Sequence, residues 1–153
     1  MGGNYYLMTI WIASTNRENW EVIKKNNLWG VPKRYKNSIT RTRVGDKILI
    51  FVRQESVGGT ILPSAITGTF EIVSDLFEDK STVFIKPAFM SGKELFPYRV
   101  KLSPVKIFDE PLEFKALIPN LEFIINKKNW TGHLRTAMRT IPETDYEYIM
   151  KSC

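Results

Sequence analysis

The residues of this chain best suited to chemistry are two tryptophans and the small polar side chains around them. Trp20 and Trp29 lie in the stretch 11–32, together with Ser14 and Asn19. Indole rings offer flat surfaces on which another ring can stack, and hydroxyl and amide groups can bond the polar edge of that ring. This combination predicts a pocket that accepts a planar ligand.

A strand and a helix are needed to bring these side chains together. Residues 6–13 are apolar and rich in β-branched and aromatic side chains, which predicts a buried strand that ends beside Ser14. The segment Thr15-Asn-Arg-Glu18 has the spacing of a capping box, so a helix is predicted from there to about Asn27.

The two tryptophans differ in their expected surroundings. Trp20 shares a helix face with Ile23, a spacing typical of core residues, although Trp20 is kept among the pocket candidates. Trp29 is expected in a turn after the helix, next to Gly30, whose missing side chain leaves room for close approach. Trp29 is therefore the favoured stacking surface.

Cations without neighbouring acids follow Trp29. The segment 31–43 contains five, namely Lys33, Arg34, Lys36, Arg41 and Arg43. Like charges in one loop repel each other, so the pattern indicates contact with phosphates. Arg135 and Arg139, four residues apart in a predicted helix over 131–140, invite the same interpretation. The net charge of +6 has the sign expected of a protein with anionic partners.

The composition excludes several classes of protein. With 153 residues, 43% of them hydrophobic, the chain is expected to form one domain over 1–153, with residues 1–5 as a disordered or non-native extension. Cys153 is the single cysteine and His133 the single histidine, so no metal site and no cofactor is expected. Without an apolar run of about 18 residues, no membrane partner is expected. A cytoplasmic location and a monomeric state are favoured.

Other segments have the period-two patterns of strands. Strands are predicted at 48–52, 66–72, 82–85 and 98–102. The apolar phase changes after Pro104, which indicates a bulge of the kind that turns the corner of a small barrel. Gly58-Gly59 is interpreted as a hairpin turn, and Thr140-Ile-Pro-Glu143 as a second capping box that opens the last helix. About five to seven strands, with helices near both ends, favour an α+β barrel.

Five motifs follow one another in a fixed order: WIASTNRENWEVIKKNNLWGVPKR, VGDKILIFV, ITGTFEIVSD, FPYRVKLSPVKI and LIPNLEFIINKKNW. Together, from about Thr9 to Ile149, they resemble the EVE domain, a family of the PUA-like superfamily that is similar to the YTH domain. The resemblance implies an α+β pseudo-barrel of five to six mostly antiparallel strands with flanking helices. It also implies a pocket for modified bases of DNA or RNA.

The resemblance gives expected roles to individual residues. Ser14 and Trp29 keep the fifteen-residue interval of the YTH pattern, which implies that Trp29 is a pocket wall and that Ser14 and Asn19 meet the base. The expected base pocket comprises Ser14, Asn19, Trp20, Trp29, Gly30, Tyr98 and Arg99. Phe96, Tyr98 and Trp130 are the candidates for further aromatic walls.

We therefore expect a nucleic-acid-binding module that recognises a modified or flipped base and has no catalytic residues. One alternative is an amidohydrolase, because the related ASCH domains include enzymes that act on acylated cytidine. Thr15, Lys24 and Glu71 are loose analogues of their catalytic set. The other alternative is an adaptor that binds a second protein. DNA and RNA both stay open as the partner.

Overall fold

A curled β-sheet forms the centre of the protein in a computed structural model, which describes residues 8–85 and 96–153. Its strands are β1 (Ile10–Thr15), β2 (Leu28–Val31), β3 (Lys47–Val52), β4 (Glu55–Val57), β5 (Thr60–Leu62), β6 (Ala65–Ile72), β7 (Phe77–Glu78), β8 (Tyr98–Glu113) and β9 (Met138–Ile141). The helices are α1 (Arg17–Asn26), α2 (Lys36–Thr40), α3 (Phe114–Leu117) and α4 (Glu143–Ser152), with 3₁₀ turns at Lys33–Tyr35, Ile118–Asn120 and Trp130–Leu134.

The main sheet runs in the order β2-β8-β6-β3-β1-β9, and β7 also pairs with β8. Strands β1 and β3 are parallel, whereas the other neighbours are antiparallel. The hairpin β4-β5 forms a separate two-stranded sheet that turns at Gly58-Gly59. The predicted α+β pseudo-barrel of mostly antiparallel strands is confirmed.

The two edge strands of this path, β2 and β9, meet through side chains. The indole Nε1 of Trp29 on β2 donates to the Sδ of Met138 on β9 over 3.4 Å. The curvature of the sheet brings its two ends together here. In the described residues β2 and β9 form no backbone ladder with each other, so a side-chain contact joins these two edges. Among the described residues, the seam between β2 and β9 is consequently an interrupted part of the barrel wall.

Hydrophobic layers cover both faces of the sheet. Trp20 and Ile23 of α1 pack with Trp11 and Phe70 in one cluster, while α3 and α4 cover the opposite face, where Ile12 and its neighbours are buried. Strands β1 and β3 are thus buried on both sides, which accounts for their unbroken apolar runs.

The long strand β8 bends where the sequence indicates. Phe70 pairs with Pro104 and Thr69 with Lys106, so Val105 is an extra residue in the ladder. The bulge predicted from the change of apolar phase at Pro104 is therefore confirmed, and it increases the curl of the sheet.

Both predicted capping boxes are wrong. The cap of α1 is Asn16, whose Oδ1 accepts from the Asn19 amide at 2.8 Å, because Thr15 is still paired within β1. The last helix begins after Pro142, with no side-chain cap. Thr140 cannot serve there because it belongs to β9 and pairs with Trp11.

Three other local predictions also fail. Residues 131–140 are a 3₁₀ turn followed by β9, because pairing with β1 overrides the helical spacing. Trp29 lies in β2 rather than in a turn, and 82–85 is not a strand. The sequence also predicts a glycine-containing loop at 89–97, of which residues 89–95 lie outside the described part of the chain. Across 8–85 and 96–153, no helix has the length and apolar character to cross a membrane.

Asp46 ties the start of β1 to the turn that precedes β3. Its carboxylate is 2% exposed and accepts from the Trp11 indole Nε1 at 3.0 Å, the Thr9 amide at 3.2 Å and the Arg43 amide at 3.0 Å. Three donors, two from the start of β1 and one from the turn before β3, therefore depend on one side chain.

Replacing Asp46 with alanine leaves these donors without their acceptor. We expect Asp46→Ala to lower the free energy of unfolding by at least about 2 kcal/mol, since an unsatisfied buried donor costs about 1–3 kcal/mol. Urea denaturation measures the change. The exposed Asp75 is the matched control, and Asp75→Ala should stay within about 0.5 kcal/mol of the wild type. Equal losses in the two variants would contradict this role of Asp46.

Candidate nucleic-acid interface

A cavity of about 660 Å³ lies where β1 and β3 end and where the edges β2 and β9 approach each other. Its position follows from the topology, because the parallel pair β1 and β3 ends on one side of the sheet. The residues that line it are Ser14, Thr15, Asn16, Asn19, Trp29, Gly30, Pro32, Arg34, Tyr35, Phe51, Arg53, Gln54, Ser64, Phe84, Phe96, Lys115, Trp130, Thr131, Leu134, Arg135 and Ala137.

Trp29 forms a fixed wall of this cavity. Its side chain is 3% exposed, and its indole N–H is bonded to Met138. Strand β2 pairs with β8 on either side of it, so neither the backbone nor the ring is free to move far. The ring can thus serve as a rigid surface at the back of the cavity.

The other aromatic walls are more exposed. Trp130 is half-buried and packs against Phe114, with 5.3 Å between ring centroids, and against Phe51 at 6.4 Å. Phe84 and Phe96, also half-buried, meet edge to face at 5.8 Å. These contacts hold the rings in place while part of their surface faces the cavity, which is what stacking on a ligand requires.

Ser14 and Asn19 line the cavity, but their polar atoms already have partners. The Ser14 hydroxyl donates to the Leu134 carbonyl at 3.4 Å. The Asn19 side chain donates to the carbonyl of Ile85 at 2.8 Å and accepts from the amide of the same residue at 2.7 Å. Asn19 therefore fixes the segment that carries Phe84 to helix α1.

Gly30 and Arg99 hold the same segment from the other side. A Cβ on Gly30 would lie 2.8 Å from the Phe84 ring and 3.0 Å from the Phe96 carbonyl, so this position has no room for a larger residue. Arg99 is fully buried and donates to the Phe96 carbonyl at 2.9 Å and to the Ser81 hydroxyl at 2.9 Å. Burial lowers the pKa of Arg99, whereas the nearby Asp79 raises it. Arg99 supports the wall without lining the cavity.

The cations of the lining are Arg34, Arg53, Lys115 and Arg135, and no carboxylate is present among its described residues. Burial lowers the pKa of Arg53, while Tyr35 and Glu55 raise it. A cavity with such walls attracts anions, because its described lining holds cations and no carboxylate.

The structure brings six of the sequence-predicted site residues to the cavity: Ser14, Asn19, Trp29, Gly30, Arg34 and Arg135. Of the extra aromatic candidates, Phe96 and Trp130 line it, and Tyr98 does not. Lys33 is exposed outside the lining, and Lys36 lies over the Tyr98 ring, 5.1 Å from its centroid.

The placement of Trp20 in the pocket is corrected by the structure. Its ring is buried in the core and meets Phe70 edge-on, with 6.1 Å between centroids. The helical spacing with Ile23 had pointed to this packing, and α1 turns that face towards the inside of the sheet.

Three of the predicted phosphate contacts also lie away from the cavity. Arg41 lies over the Trp11 ring at 5.7 Å, and the Arg43 amide bonds Asp46, both at the start of β1 and β3. A strand of six residues spans roughly 20 Å, so the cavity is at the far end. Arg139 lies over the Phe123 ring at 5.0 Å, and burial lowers its pKa.

Sequence reasoning missed Tyr35, Arg53, Phe84 and Lys115. Arg53 directly follows the apolar run of β3, and its place beside Thr15 depends on the parallel pairing of β1 and β3. The sequence analysis does not predict that pairing. A strand followed by a helix at the start of the chain was a usable signal for it, because parallel strands are usually joined through a helix. We find no signal in the sequence for Lys115.

Comparison with known proteins bears on the family and the fold of the chain. A model of the EVE domain matches residues 9–152. The UPF0310 protein PH1033 of Pyrococcus horikoshii is 51% identical over 146 residues, which cover 94% of this chain and 98% of that protein.

Two solved structures are similar in fold. The YTH domain of Zygosaccharomyces rouxii MRB1, in complex with N6-methyladenosine RNA, has a TM-score of 0.61 and 14% identity, with 99% of this chain and 90% of that chain covered. Human THYN1, in complex with DNA containing 5-methylcytosine, has a TM-score of 0.60 and 12% identity, with 94% and 96% covered.

The bonds between Asn19 and Ile85 predict how that wall responds to mutation. In Asn19→Ala, the Ile85 amide should exchange its hydrogen at least about fivefold faster, because a net hydrogen bond is worth about 1 kcal/mol. Asn19→Asp keeps an acceptor and should retain most of the protection. Hydrogen exchange followed by NMR measures both, with Asn26→Ala on the exposed side of α1 as the control. Unchanged exchange at Ile85 in Asn19→Ala would contradict the assignment.

Proposed function

The chain belongs to the EVE domain family, and on that premise we propose that it is a nucleic-acid-binding module whose cavity receives one base. The base would be modified or flipped out of its strand, and the module would not react with it. Trp29 and Trp130 would provide aromatic surface for the base, and the basic side chains of the lining would contact the flanking phosphates.

One observation carries this proposal: the same cavity combines aromatic walls with four cations and, in its described lining, no carboxylate. A nucleotide is a flat ring joined to an anion, and stacking on an aromatic residue contributes roughly 1–3 kcal/mol per base. A base outside its strand loses its neighbours and needs such replacement surfaces. The fold relatives MRB1 and THYN1, which bind modified RNA and DNA respectively, support the proposal.

The amidohydrolase alternative lacks an assembled site. Thr15 lines the cavity, but Lys24 pairs with Glu21 at 3.2 Å and Glu71 with Lys47 at 3.0 Å, and neither Lys24 nor Glu71 belongs to the lining. A catalytic set must converge on one reacting atom. These three residues do not converge, so binding is the function that the geometry favours. The cytoplasmic location and the monomeric state stay predictions.

Removing the half-buried ring of Trp130 from the cavity wall should weaken binding. We expect Trp130→Ala to reduce the affinity for a single-stranded oligonucleotide by roughly 1–3 kcal/mol, because the base loses one aromatic contact. Fluorescence polarisation at a temperature well below the melting temperature of each variant measures the change. Phe77→Ala, on β7 and away from the cavity, is the control. Identical affinities of Trp130→Ala and the wild type would refute the proposed pocket.

Arg135 and Arg139 form a matched pair for testing the electrostatic contribution to nucleic-acid binding. Arg135 lines the cavity and Arg139 does not. In Arg135→Gln, the slope of log affinity against log salt should fall by about 0.7–0.9 for the one lost phosphate contact. Arg139→Gln should leave the slope unchanged. A reversed order in salt titrations would show that the nucleic acid crosses a different surface.

A further inference from the structure

Given the proposed function, we infer that Arg53 selects the base, and that the cavity takes a base with two adjacent hydrogen-bond acceptors on one edge. Guanine presents such a pair at O6 and N7, and cytosine presents one at N3 and O2. In adenine, the N6 amino donor lies between the acceptors N1 and N7. In uracil, the N3 donor lies between the acceptors O2 and O4. Neither base therefore presents two adjacent acceptors. The inference assigns a chemical class to the base and a specificity role to one side chain.

Arg53 is fixed at the end of the two parallel strands. Its backbone amide donates to the Thr15 carbonyl at 2.9 Å, directly after the last β1-β3 pair, Thr15 with Val52. Its side chain is half-buried and lines the cavity. The backbone of Arg53 is therefore held as firmly as the sheet. A fixed backbone is needed if the side chain is to select a base by the geometry of its hydrogen bonds.

The guanidinium of Arg53 keeps its donors available. Within residues 8–85 and 96–153 it makes no hydrogen bond or ion pair, although Tyr35 and Glu55 are near enough to stabilise its charge. A guanidinium presents neighbouring N–H groups in a planar fork, and that fork matches two adjacent acceptors. A half-buried fork without an internal acceptor is a site for an acceptor pair of the ligand.

The rest of the described lining has charged donors but no charged acceptor. Its other three cations, Arg34, Lys115 and Arg135, only donate, and no carboxylate is among its described residues. Neutral oxygens that can accept are those of Thr15, Tyr35, Gln54, Ser64 and Thr131. The side-chain oxygens of Asn16 and Asn19 already accept from backbone amides, over 2.8 Å and 2.7 Å. An amino group of a base needs an acceptor, whereas a carbonyl or ring nitrogen needs a donor. Because the charged groups of the lining are all donors, they favour the acceptor pairs of guanine and cytosine over the edges of adenine.

The energetic consequence is large enough to measure. One bidentate arginine contact discriminates against a wrong base by about 1–3 kcal/mol, which corresponds to about 5- to 150-fold in affinity. Lysine in place of arginine keeps the charge but loses the fork. Base preference and overall affinity can therefore be separated by a conservative substitution.

The experiment uses the full chain and four RNA 9-mers in which one central base, G, C, A or U, is flanked by abasic positions. Fluorescence polarisation should show that the wild type binds the G or the C oligonucleotide at least about tenfold more tightly than those with A and U. A fifth oligonucleotide with 7-deazaguanine distinguishes the guanine acceptor pair from the cytosine pair, because 7-deazaguanine lacks the N7 acceptor. A loss of affinity with it identifies the guanine pair, and an unchanged preference for C identifies the cytosine pair.

Two variants complete the test. Arg53→Lys should reduce the preference to less than about threefold while affinity for the A and U oligonucleotides stays within about twofold of the wild type. Arg135→Lys, on the same cavity, should keep the preference. A wild type that prefers A or U, or an Arg53→Lys variant that keeps the G or C preference, would overturn the inference. Binding that depends on Trp130 but shows no base preference overturns this inference alone, whereas absence of binding to every oligonucleotide overturns the proposed function as well.

Discussion

The contact between Trp29 and Met138 is the constraint on which the site depends. Strands β2 and β9 are the two edges of the main sheet, and this contact of 3.4 Å joins them. An edge-to-edge ladder would have continued the barrel and closed the space that the cavity occupies. A side-chain contact instead leaves an interrupted wall, into which the ends of β1 and β3 and the start of α1 project. The opening is thus a result of how the sheet curls.

The walls of the cavity are rigid because their polar groups are bonded to each other. Asn19 holds Ile85, Arg99 holds Phe96 and Ser81, and Gly30 leaves the space in which these segments meet. The sequence predicts Asn19 and Arg99 as ligand contacts. In the structure, their hydrogen bonds instead position the segments that carry aromatic rings. The proposed recognition of a base would then depend on other polar side chains of the lining and on the exposed parts of the rings.

Sequence reasoning was accurate where local pattern and tertiary structure agree. The apolar runs of β1 and β3, the helix that carries Trp20 and the bulge after Pro104 are local features, and each was found. It failed where distant pairing decides. Residues 138–141 form a strand because β1 is beside them, and Arg53 joins the site because β3 runs parallel to β1. The sequence shows that Arg34 and Arg41 are both basic, but not where each of them lies. Helix α2 turns the chain away from the cavity, so Arg34 lines it and Arg41 lies over the Trp11 ring.

The pairing of β1 with β9 also sets the order in which the cavity can be completed during synthesis. Ser14 donates its amide to Ala137 over 2.9 Å, across more than 120 positions of the chain. Contacts so distant in sequence form late, because the entropy of closing the intervening loop must be overcome first. On the ribosome, β1, α1 and β2 emerge long before β9 exists to complete the seam. A nascent chain therefore exposes Trp29 and the basic segment without a finished cavity, and the walls of the cavity are complete only when synthesis has passed β9.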